Sequence, residues 1–128
     1  MNKFVSVTYM DNHISCQSFE TQKEAFTAMS DAFDDNFSSE LSCRVFKLAK
    51  PYILIRVERD GVKTAQFETF NAAKIEMEKE LFETLHIGTF SQVNRFIRKE
   101  EAGISDDSAW CMHKSDRIDW KIYAVESC

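Results

Sequence analysis

The chain has 128 residues, of which 44% are hydrophobic, and it contains only 3 Gly and 1 Pro. This length predicts a single domain over residues 1–128 with a sizeable core, and the scarcity of Gly and Pro excludes long linkers and low-complexity segments. The formal net charge of −5 disfavours a broad nucleic-acid-binding surface and is typical of a soluble acidic protein.

No apolar run approaches the length of a transmembrane helix. The chain shows a strand pattern from Phe4 onward, where a signal peptide would have a continuous apolar segment. Both features predict a cytoplasmic protein that does not contact membranes. The four cysteines are widely spaced and are expected to be reduced thiols in that compartment; they are Cys16, Cys43, Cys111 and Cys128.

The first predicted unit, residues 4–34, is a β-hairpin followed by a helix. Residues 4–10 are rich in β-branched and aromatic side chains, Asp11 and Asn12 predict a turn, and residues 14–19 predict the return strand. The period then changes from two to about 3.6 residues after Thr21, whose hydroxyl, with Glu24 three residues later, predicts a capping box at the helix start.

Residues 52–82 repeat this pattern at a constant offset that aligns Phe4 with Tyr52. Asp60 and Gly61 between two apolar runs are a strong hairpin signal, because both tolerate the positive φ of a tight turn. Each unit therefore offers one apolar sheet face and one apolar helix stripe, so two copies can close a common core. The identical pairs are Phe19/Phe67, Glu20/Glu68, Thr21/Thr69, Ala25/Ala73 and Met29/Met77.

The remaining segments predict three further strands and a third helix. Residues 41–48 predict a strand that forms a three-strand meander with 52–58 and 62–67. Gly88 is expected to end the second helix as its C′ residue, and a third helix follows from Phe90. The chain closes with a hairpin of residues 108–113 and 118–125, expected to complete the sheet of the first unit. The fold class is thus α+β with antiparallel sheets, about seven strands and three helices, in the order ββα-βββα-α-ββ.

Motifs that carry chemistry are scarce. Cys111 and His113 lie two residues apart on a predicted strand, so their side chains share a face and form a candidate thiol–imidazole pair or half of a metal site. Chance proximity is the competing interpretation, because such sites need further positioned partners. The sequence has no Gly-rich phosphate loop, nucleophile elbow or metalloprotease helix motif. We therefore predict a non-enzymatic protein without cofactor or metal.

Two sets of residues are candidates for an interaction surface. Trp110 and Trp120 flank the last turn, near His113, and either pair across the hairpin, present a binding surface or lie in the core. The second set lies on the helix of the second unit and consists of Glu76, Glu80 and Glu83. It is interpreted either as a solvated face with mixed charge pairs or as an acidic docking surface.

Two short resemblances are visible. The order helix, three strands, helix between Thr21 and Leu85, with Asn71-Ala72-Ala73-Lys74 at a helix start, resembles the double-stranded-RNA-binding domain. That family's lysine cluster is replaced here by Glu68-Thr69-Phe70, so the resemblance does not imply RNA binding. Ser108-Ala109-Trp110 followed by Asp119-Trp120-Lys121-Ile122 resembles the C-terminus of uncharacterised small proteins of gut bacteria and their mobile elements, which implies no activity.

The function predicted from these observations is a non-catalytic protein-interaction or regulatory module. Its partner is expected to be another protein or a second copy of the chain, with a sheet edge or the Trp residues forming a homodimer. Two alternatives stay open at this point. One is an acidic nucleic-acid mimic that inhibits a nucleic-acid-binding protein; the other is an enzyme with a Cys111/His113 site.

Overall fold

The computed structural model describes residues 3–10, 13–35, 41–59 and 61–125, and the side chains within these ranges except those of 32–35 and 41–43. The elements, in chain order, are β1 (Phe4–Met10), β2 (His13–Phe19), α1 (Gln22–Asp35), β3 (Leu41–Lys47), β4 (Tyr52–Glu58), β5 (Gly61–Phe67), α2 (Phe70–Leu85), α3 (Phe90–Arg98), β6 (Ala102–Ile104), β7 (Ser108–His113) and β8 (Asp116–Ala124).

The strands form two antiparallel sheets. A small sheet has the strand order β2-β1-β3, and a large sheet has the order β5-β4-β8-β7-β6. The α+β class and the predicted element order are therefore confirmed. One strand more than predicted is present, because β6 covers only three residues and is too short to show a period of two.

The two sheets pack face to face, and each has a helix on its outer side. The inner layer joins Val5 and Val7 of the small sheet to Ile53, Ile55 and Val57 of the large sheet. On the outer side of the large sheet, α2 buries a stripe against β4, β7 and β8; α1 contacts the small sheet. Successive side chains of a strand point to opposite faces, so β4 and β8 supply both apolar layers.

The two halves of the chain have equivalent strand connections. In each half a hairpin is followed by a helix, and a later strand returns to pair with the first strand of the hairpin, giving β2-β1-β3 and β5-β4-β8. The hairpin registers correspond as well, since Phe4 pairs with Phe19 and Tyr52 pairs with Phe67. The internal repeat in sequence stays a prediction, whereas the shared connectivity is a property of the fold.

Two predicted strand pairings are wrong. Strand β3 does not join β4 and β5 in a meander but pairs with β1, and the C-terminal hairpin completes the large sheet through β8 and β4. The segment from Thr21 to Leu85 therefore contributes strands to both sheets. The reason is that the amphipathic pattern of a strand shows which face is apolar, but does not show which distant strand lies beside it.

The ends of the helices follow local chemistry. The Thr21 hydroxyl accepts a hydrogen bond from the backbone N–H of Glu24 at 3.2 Å, and the Thr69 hydroxyl accepts one from Ala72 at 3.1 Å. The end of α2 differs from its prediction, because the left-handed cap residue is His86, with φ 55°, and not Gly88. The predicted turn at Asp11 and Asn12 lies outside the described residues.

The cysteines also differ from their prediction. Cys16 is disulfide-bonded, so the expectation that all four thiols are reduced is wrong. Cys111 is a free and buried thiol.

The cap of α2 makes a first test. Replacing Thr69 by Ala removes the side-chain acceptor for the Ala72 N–H and should lower the free energy of unfolding by about 1 kcal/mol. Urea-induced unfolding followed by circular dichroism measures this change. Thr69→Ser keeps the hydroxyl and should unfold close to wild type; equal losses for Ser and Ala would contradict the capping role.

Candidate functional site

The large sheet is two strands wider than the small sheet that packs on its inner face. Strand β2 lies against β8 and β3 lies against β5, which places β1 over β4. Neighbouring strands are about 4.8 Å apart, so β7 and β6 extend beyond the cover of the small sheet. The inner face of the large sheet is therefore open at this end.

A cleft of about 210 Å³ lies at this open end, where the small sheet stops and the large sheet continues. We call it the Trp110 cleft. Its floor comes from β7 and β8, and its wall comes from β2. Its lining residues are His13, Ile14, Ser108, Ala109, Trp110, Arg117, Asp119, Trp120 and Lys121.

The indole of Trp110 packs over the edge strand β6, where a glycine lies opposite it. Gly103 of β6 pairs with Trp110 of β7. A Cβ atom built on Gly103 would overlap the Trp110 Nε1 atom. The indole therefore occupies the space that any other side chain at position 103 would fill, an arrangement that also covers the exposed backbone of an edge glycine.

Arg117 covers the indole and is held by a buried carboxylate. Its guanidinium carbon lies 4.4 Å from the centroid of the Trp110 ring, a cation–π distance. Its Nε atom lies 3.1 Å from both carboxylate oxygens of Asp119, which is only 6% exposed. A charged hydrogen bond to a buried carboxylate holds the guanidinium more firmly than a surface ion pair would.

A residue of the small sheet completes this arrangement. The Tyr9 hydroxyl donates a hydrogen bond of 2.8 Å to Asp119 Oδ2. Burial, followed by the hydrogen bond to Asp119, raises the pKa of Tyr9, so the phenol stays protonated and remains a donor. The chain of contacts Tyr9–Asp119–Arg117–Trp110 thus runs from one sheet across the other to the floor of the cleft.

The outer atoms of Arg117 are available to a ligand. Within the described part of the chain its Nη atoms donate no hydrogen bond, and 32% of its side chain is exposed. The second cation of the cleft is already paired, because Lys121 Nζ lies 2.8 Å from Asp107 Oδ2. The hydrogen bond from Lys121 lowers the pKa of Asp107. Arg117 is therefore the cation of the cleft with open donors.

The residues predicted as an interaction surface do not come together. Trp110 lies in the cleft, but Trp120 points to the opposite face of β8, into the core under α2, and is 1% exposed. The side chains do not pair across the hairpin because Trp110 is opposite Asp119, and Trp120 is opposite Ala109. His113 lines a different depression, next to Glu58 and Asp116.

The pair Cys111 and His113 lacks the properties of a thiol site. Cys111 is fully buried in the core beneath α2, and burial raises the pKa of its thiol to about 11. A nucleophilic cysteine needs the opposite shift, toward the thiolate at neutral pH. The alternative of a Cys/His enzyme has therefore lost its main support.

The three glutamates of α2 do not act as one free acidic surface. Glu80 turns toward the sheet, where its Oε1 atom lies 3.1 Å from Arg56 Nη1. Glu83 is exposed and Glu76 is partly exposed. Glu80, the middle residue of the three, is therefore neutralised by Arg56. This weakens the hypothesis of an acidic nucleic-acid mimic, which was motivated in part by the three charges together.

Sequence reasoning missed Tyr9, Gly103, Arg117 and Asp119. The alternation in β8 predicts that Asp119 lies on the polar face of a strand. An acidic side chain is expected there and does not by itself indicate a site. Its burial depends on Tyr9, far away in sequence and in the other sheet. A glycine facing a tryptophan was visible in principle, but only after the pairing of β6 with β7 was known.

Comparisons of the chain with models of known families, with characterised proteins and with solved structures find no match. The two resemblances seen in the sequence stay predictions. Among the described residues, no group of three or more His, Cys, Asp or Glu side chains is placed to hold a metal ion. None of the described helices is long and apolar enough to span a membrane.

The close contact at Gly103 makes the second prediction. Gly103→Ala should displace the Trp110 indole and lower the free energy of unfolding by about 1–3 kcal/mol, the usual cost of overpacking. Urea unfolding measures the loss. In a Trp110→Ala background the same substitution should cost much less, because the clashing ring is absent. Gly88→Ala is the matched control, since its added Cβ meets only Gln92 Oε1 at 3.9 Å; equal losses at both glycines would refute the contact.

The buried thiol makes the third prediction. At pH 8 the Cys111 thiol of the folded chain is protonated, so iodoacetamide should modify it at least roughly tenfold more slowly than in the urea-unfolded chain. The modified peptide is identified by mass spectrometry. Similar rates in both states would contradict the burial.

The same shift gives a pH dependence. An unfolded thiol ionises near its ordinary pKa of 9.0, whereas the folded thiol ionises near 11. The free energy of unfolding should therefore be independent of this group below pH 9 and should fall as the pH rises from 9 to 11. Cys111→Ser should lack this component of the decrease.

Proposed function

We propose that the protein is a non-catalytic interaction module whose Trp110 cleft binds a carboxylate-bearing segment of another protein. The observation that carries this proposal is the Arg117 guanidinium, which is fixed by Asp119, stacked on Trp110 and open at its Nη atoms. Holding an arginine in place before a ligand arrives lowers the entropy lost on binding.

The geometry of the guanidinium favours a carboxylate. An arginine presents its donors as a planar fork, which matches the two oxygens of a carboxylate group. Asp119 engages the Nε atom, and the Nη atoms donate no hydrogen bond to any of the described residues, so they can bind a second anion. The guanidinium thus lies between a carboxylate of its own chain and the carboxylate of the partner.

The surroundings of Arg117 favour a polypeptide segment over a small anion. The indole of Trp110 supplies an apolar surface next to the charge, and Ile14 lies on the facing wall. Aromatic and arginine side chains together are typical of the energetically dominant positions in protein interfaces. The exposed His13 gives the rim of the cleft a further polar contact.

The non-catalytic character rests on the chemistry of Tyr9 and Asp119 beside the cleft and of Cys111 in the core. The pKa of Tyr9 is raised and the thiol of Cys111 is buried with a raised pKa, so neither is activated at neutral pH. Asp119 already accepts hydrogen bonds from two side chains. Tyr9 and Asp119 are arranged to hold Arg117 in position, and binding is the role that such an arrangement supports.

The proposal predicts the effect of changing Arg117. A peptide array that pairs each glutamate-containing peptide with its glutamine counterpart should show preferential binding of the glutamate members by the wild-type protein. Arg117→Lys keeps the charge beside Asp119 but loses the planar fork, so the best peptides should bind about tenfold more weakly, equivalent to about 1.4 kcal/mol. Fluorescence anisotropy of labelled peptides measures the affinities.

Two controls test for folding and for general charge. Arg59→Ala removes a side chain that is 81% exposed and does not line the Trp110 cleft, so it should leave the affinities unchanged. Circular dichroism should show that Arg117→Lys is folded. Glutamate and glutamine peptides that bind alike, or an Arg59 variant that weakens as much as Arg117→Lys, would refute the carboxylate site.

A further inference from the structure

Two tyrosines join the sheets beside the Trp110 cleft, one from each sheet. The Tyr9 hydroxyl of the small sheet donates to Asp119 of the large sheet at 2.8 Å. In the opposite direction, the Tyr123 hydroxyl of the large sheet donates to the backbone carbonyl oxygen of Ile14 at 2.7 Å. Tyr9 and Ile14 are directly opposite each other in the pairing of β1 with β2. The two hydrogen bonds therefore hold neighbouring positions of the small sheet.

The hydrogen bond from Tyr123 holds the wall of the cleft. Ile14 lies on β2, which forms the wall and is an edge strand of the small sheet. An edge strand has backbone groups that its neighbouring strand does not use, and here a side chain of the other sheet bonds the Ile14 carbonyl. Burial raises the pKa of Tyr123, so its phenol is protonated at neutral pH and acts as the donor. The position of β2 relative to β8 thus depends on this hydroxyl.

Tyr123 also contacts the floor of the cleft. The Nζ atom of Lys121 lies 5.5 Å from the centroid of the Tyr123 ring, a cation–π distance, and Lys121 lines the cleft. The ring itself packs against the apolar layer between the sheets. One side chain therefore contacts the wall through its hydroxyl and a floor residue through its ring, so it helps to set the distance between wall and floor.

The cleft has room for about two side chains. Its volume is about 210 Å³, whereas a cavity of roughly 150 Å³ accepts a benzene molecule. An α-helix with its side chains is about 10–12 Å across and cannot enter. A glutamate bound to Arg117 therefore leaves space for one further side chain of an extended segment. The apolar surfaces beside that space belong to the half-buried Trp110 and to Ile14, which is 6% exposed.

We propose that Tyr123 is a positioning residue of the Trp110 cleft, which holds Ile14 opposite Trp110 so that both contact an apolar side chain of the partner. The inference rests on the function proposed above and specifies its ligand. Alternate side chains of an extended segment point to the same side, so the apolar residue lies two positions before or after the glutamate. A residue directly next to the glutamate points away from the cleft.

The first experiment compares three peptides with a central glutamate. The parent peptide has Ser at the four nearest positions, the second has Leu two positions away on both sides, and the third has Leu directly next to the glutamate on both sides. The wild-type chain should bind the second peptide about tenfold more tightly than the parent, because a leucine side chain becomes partly buried. The third should bind like the parent. Fluorescence anisotropy measures the affinities.

The outcomes separate this inference from the carboxylate site. If the second and third peptides bind alike, while glutamate peptides still bind more tightly than their glutamine counterparts, the apolar position is refuted and the carboxylate site stands. If glutamate and glutamine peptides bind alike, the function proposed above fails, and this inference fails with it.

The second experiment removes one hydroxyl at a time. Tyr123→Phe keeps the ring beside Lys121 but releases the wall, so the preference for Leu should fall from about tenfold to about twofold. The preference for glutamate over glutamine should stay as in the wild-type chain. Tyr9→Phe removes a donor that holds Asp119, so it should lower the preference for glutamate and keep most of the preference for Leu.

A purely structural role of Tyr123 would give a different result. Loss of stability alone would weaken all peptides by the same factor and would leave both preferences unchanged, and that outcome would overturn the proposal. Tyr52→Phe is the matched control, since Tyr52 packs against Phe70 and does not line the cleft. It should change neither preference. Circular dichroism shows whether each variant is folded.

Nuclear magnetic resonance of isoleucine methyl groups tests the same contact without any variant. In the wild-type chain, the Ile14 methyl signals should shift considerably more with the second peptide than with the parent. The Ile75 signals are the control, because Ile75 is 58% exposed and lies outside the cleft, so they should not shift with either peptide. Ile14 signals that respond equally to both peptides would overturn the proposal.

Discussion

The difference in width between the two sheets is the constraint on which the candidate site depends. The small sheet has three strands and the large sheet has five, and both share one apolar layer. Ile53, Ile55 and Val57 are fully or almost fully buried in that layer, whereas the residues beyond β8 on the same face are polar or only half-buried. A sheet that continues past its cover must present such side chains, since an open apolar face would associate with other surfaces. The cleft is thus a consequence of closing a core between unequal sheets.

Asp119 links this constraint to the chemistry of the cleft. It lies where the cover ends, so it is buried by the small sheet and still reaches the open floor. A buried carboxylate is tolerated only when its oxygens accept hydrogen bonds, and here Tyr9 and Arg117 donate them. Because the buried carboxylate of Asp119 needs hydrogen-bond donors, it holds the guanidinium of Arg117 in a defined position at the surface. This stabilisation of Arg117 comes with the fold and needs no ligand.

Local signals in the sequence were sufficient for all elements except the three-residue strand β6, and they were insufficient for the site. The Asp60-Gly61 hairpin signal and the Thr69 cap are readable because each depends on neighbours in the chain. The pairings of β3 with β1 and of β8 with β4 join distant segments, and alternation does not specify the partner. The two tryptophans show the consequence. Their parity along β7 and β8 places them on opposite faces, but only the sheet order reveals that one face is core and the other is cleft.

Only part of the Trp110 cleft lies in the segment that the two halves do not share. After α1 the next described element is β3, which returns to β1; after α2 the chain forms α3, β6 and β7 before β8 returns to β4. Strands β6 and β7 supply Gly103 and Trp110 at the cleft, whereas Arg117 and Asp119 lie on the returning strand β8. The common arrangement of hairpin, helix and returning strand closes the core in each half. The additional segment contributes Ala102, Ala109 and Cys111 to the core beneath α2, while Trp110, on the opposite face of β7, lines the cleft.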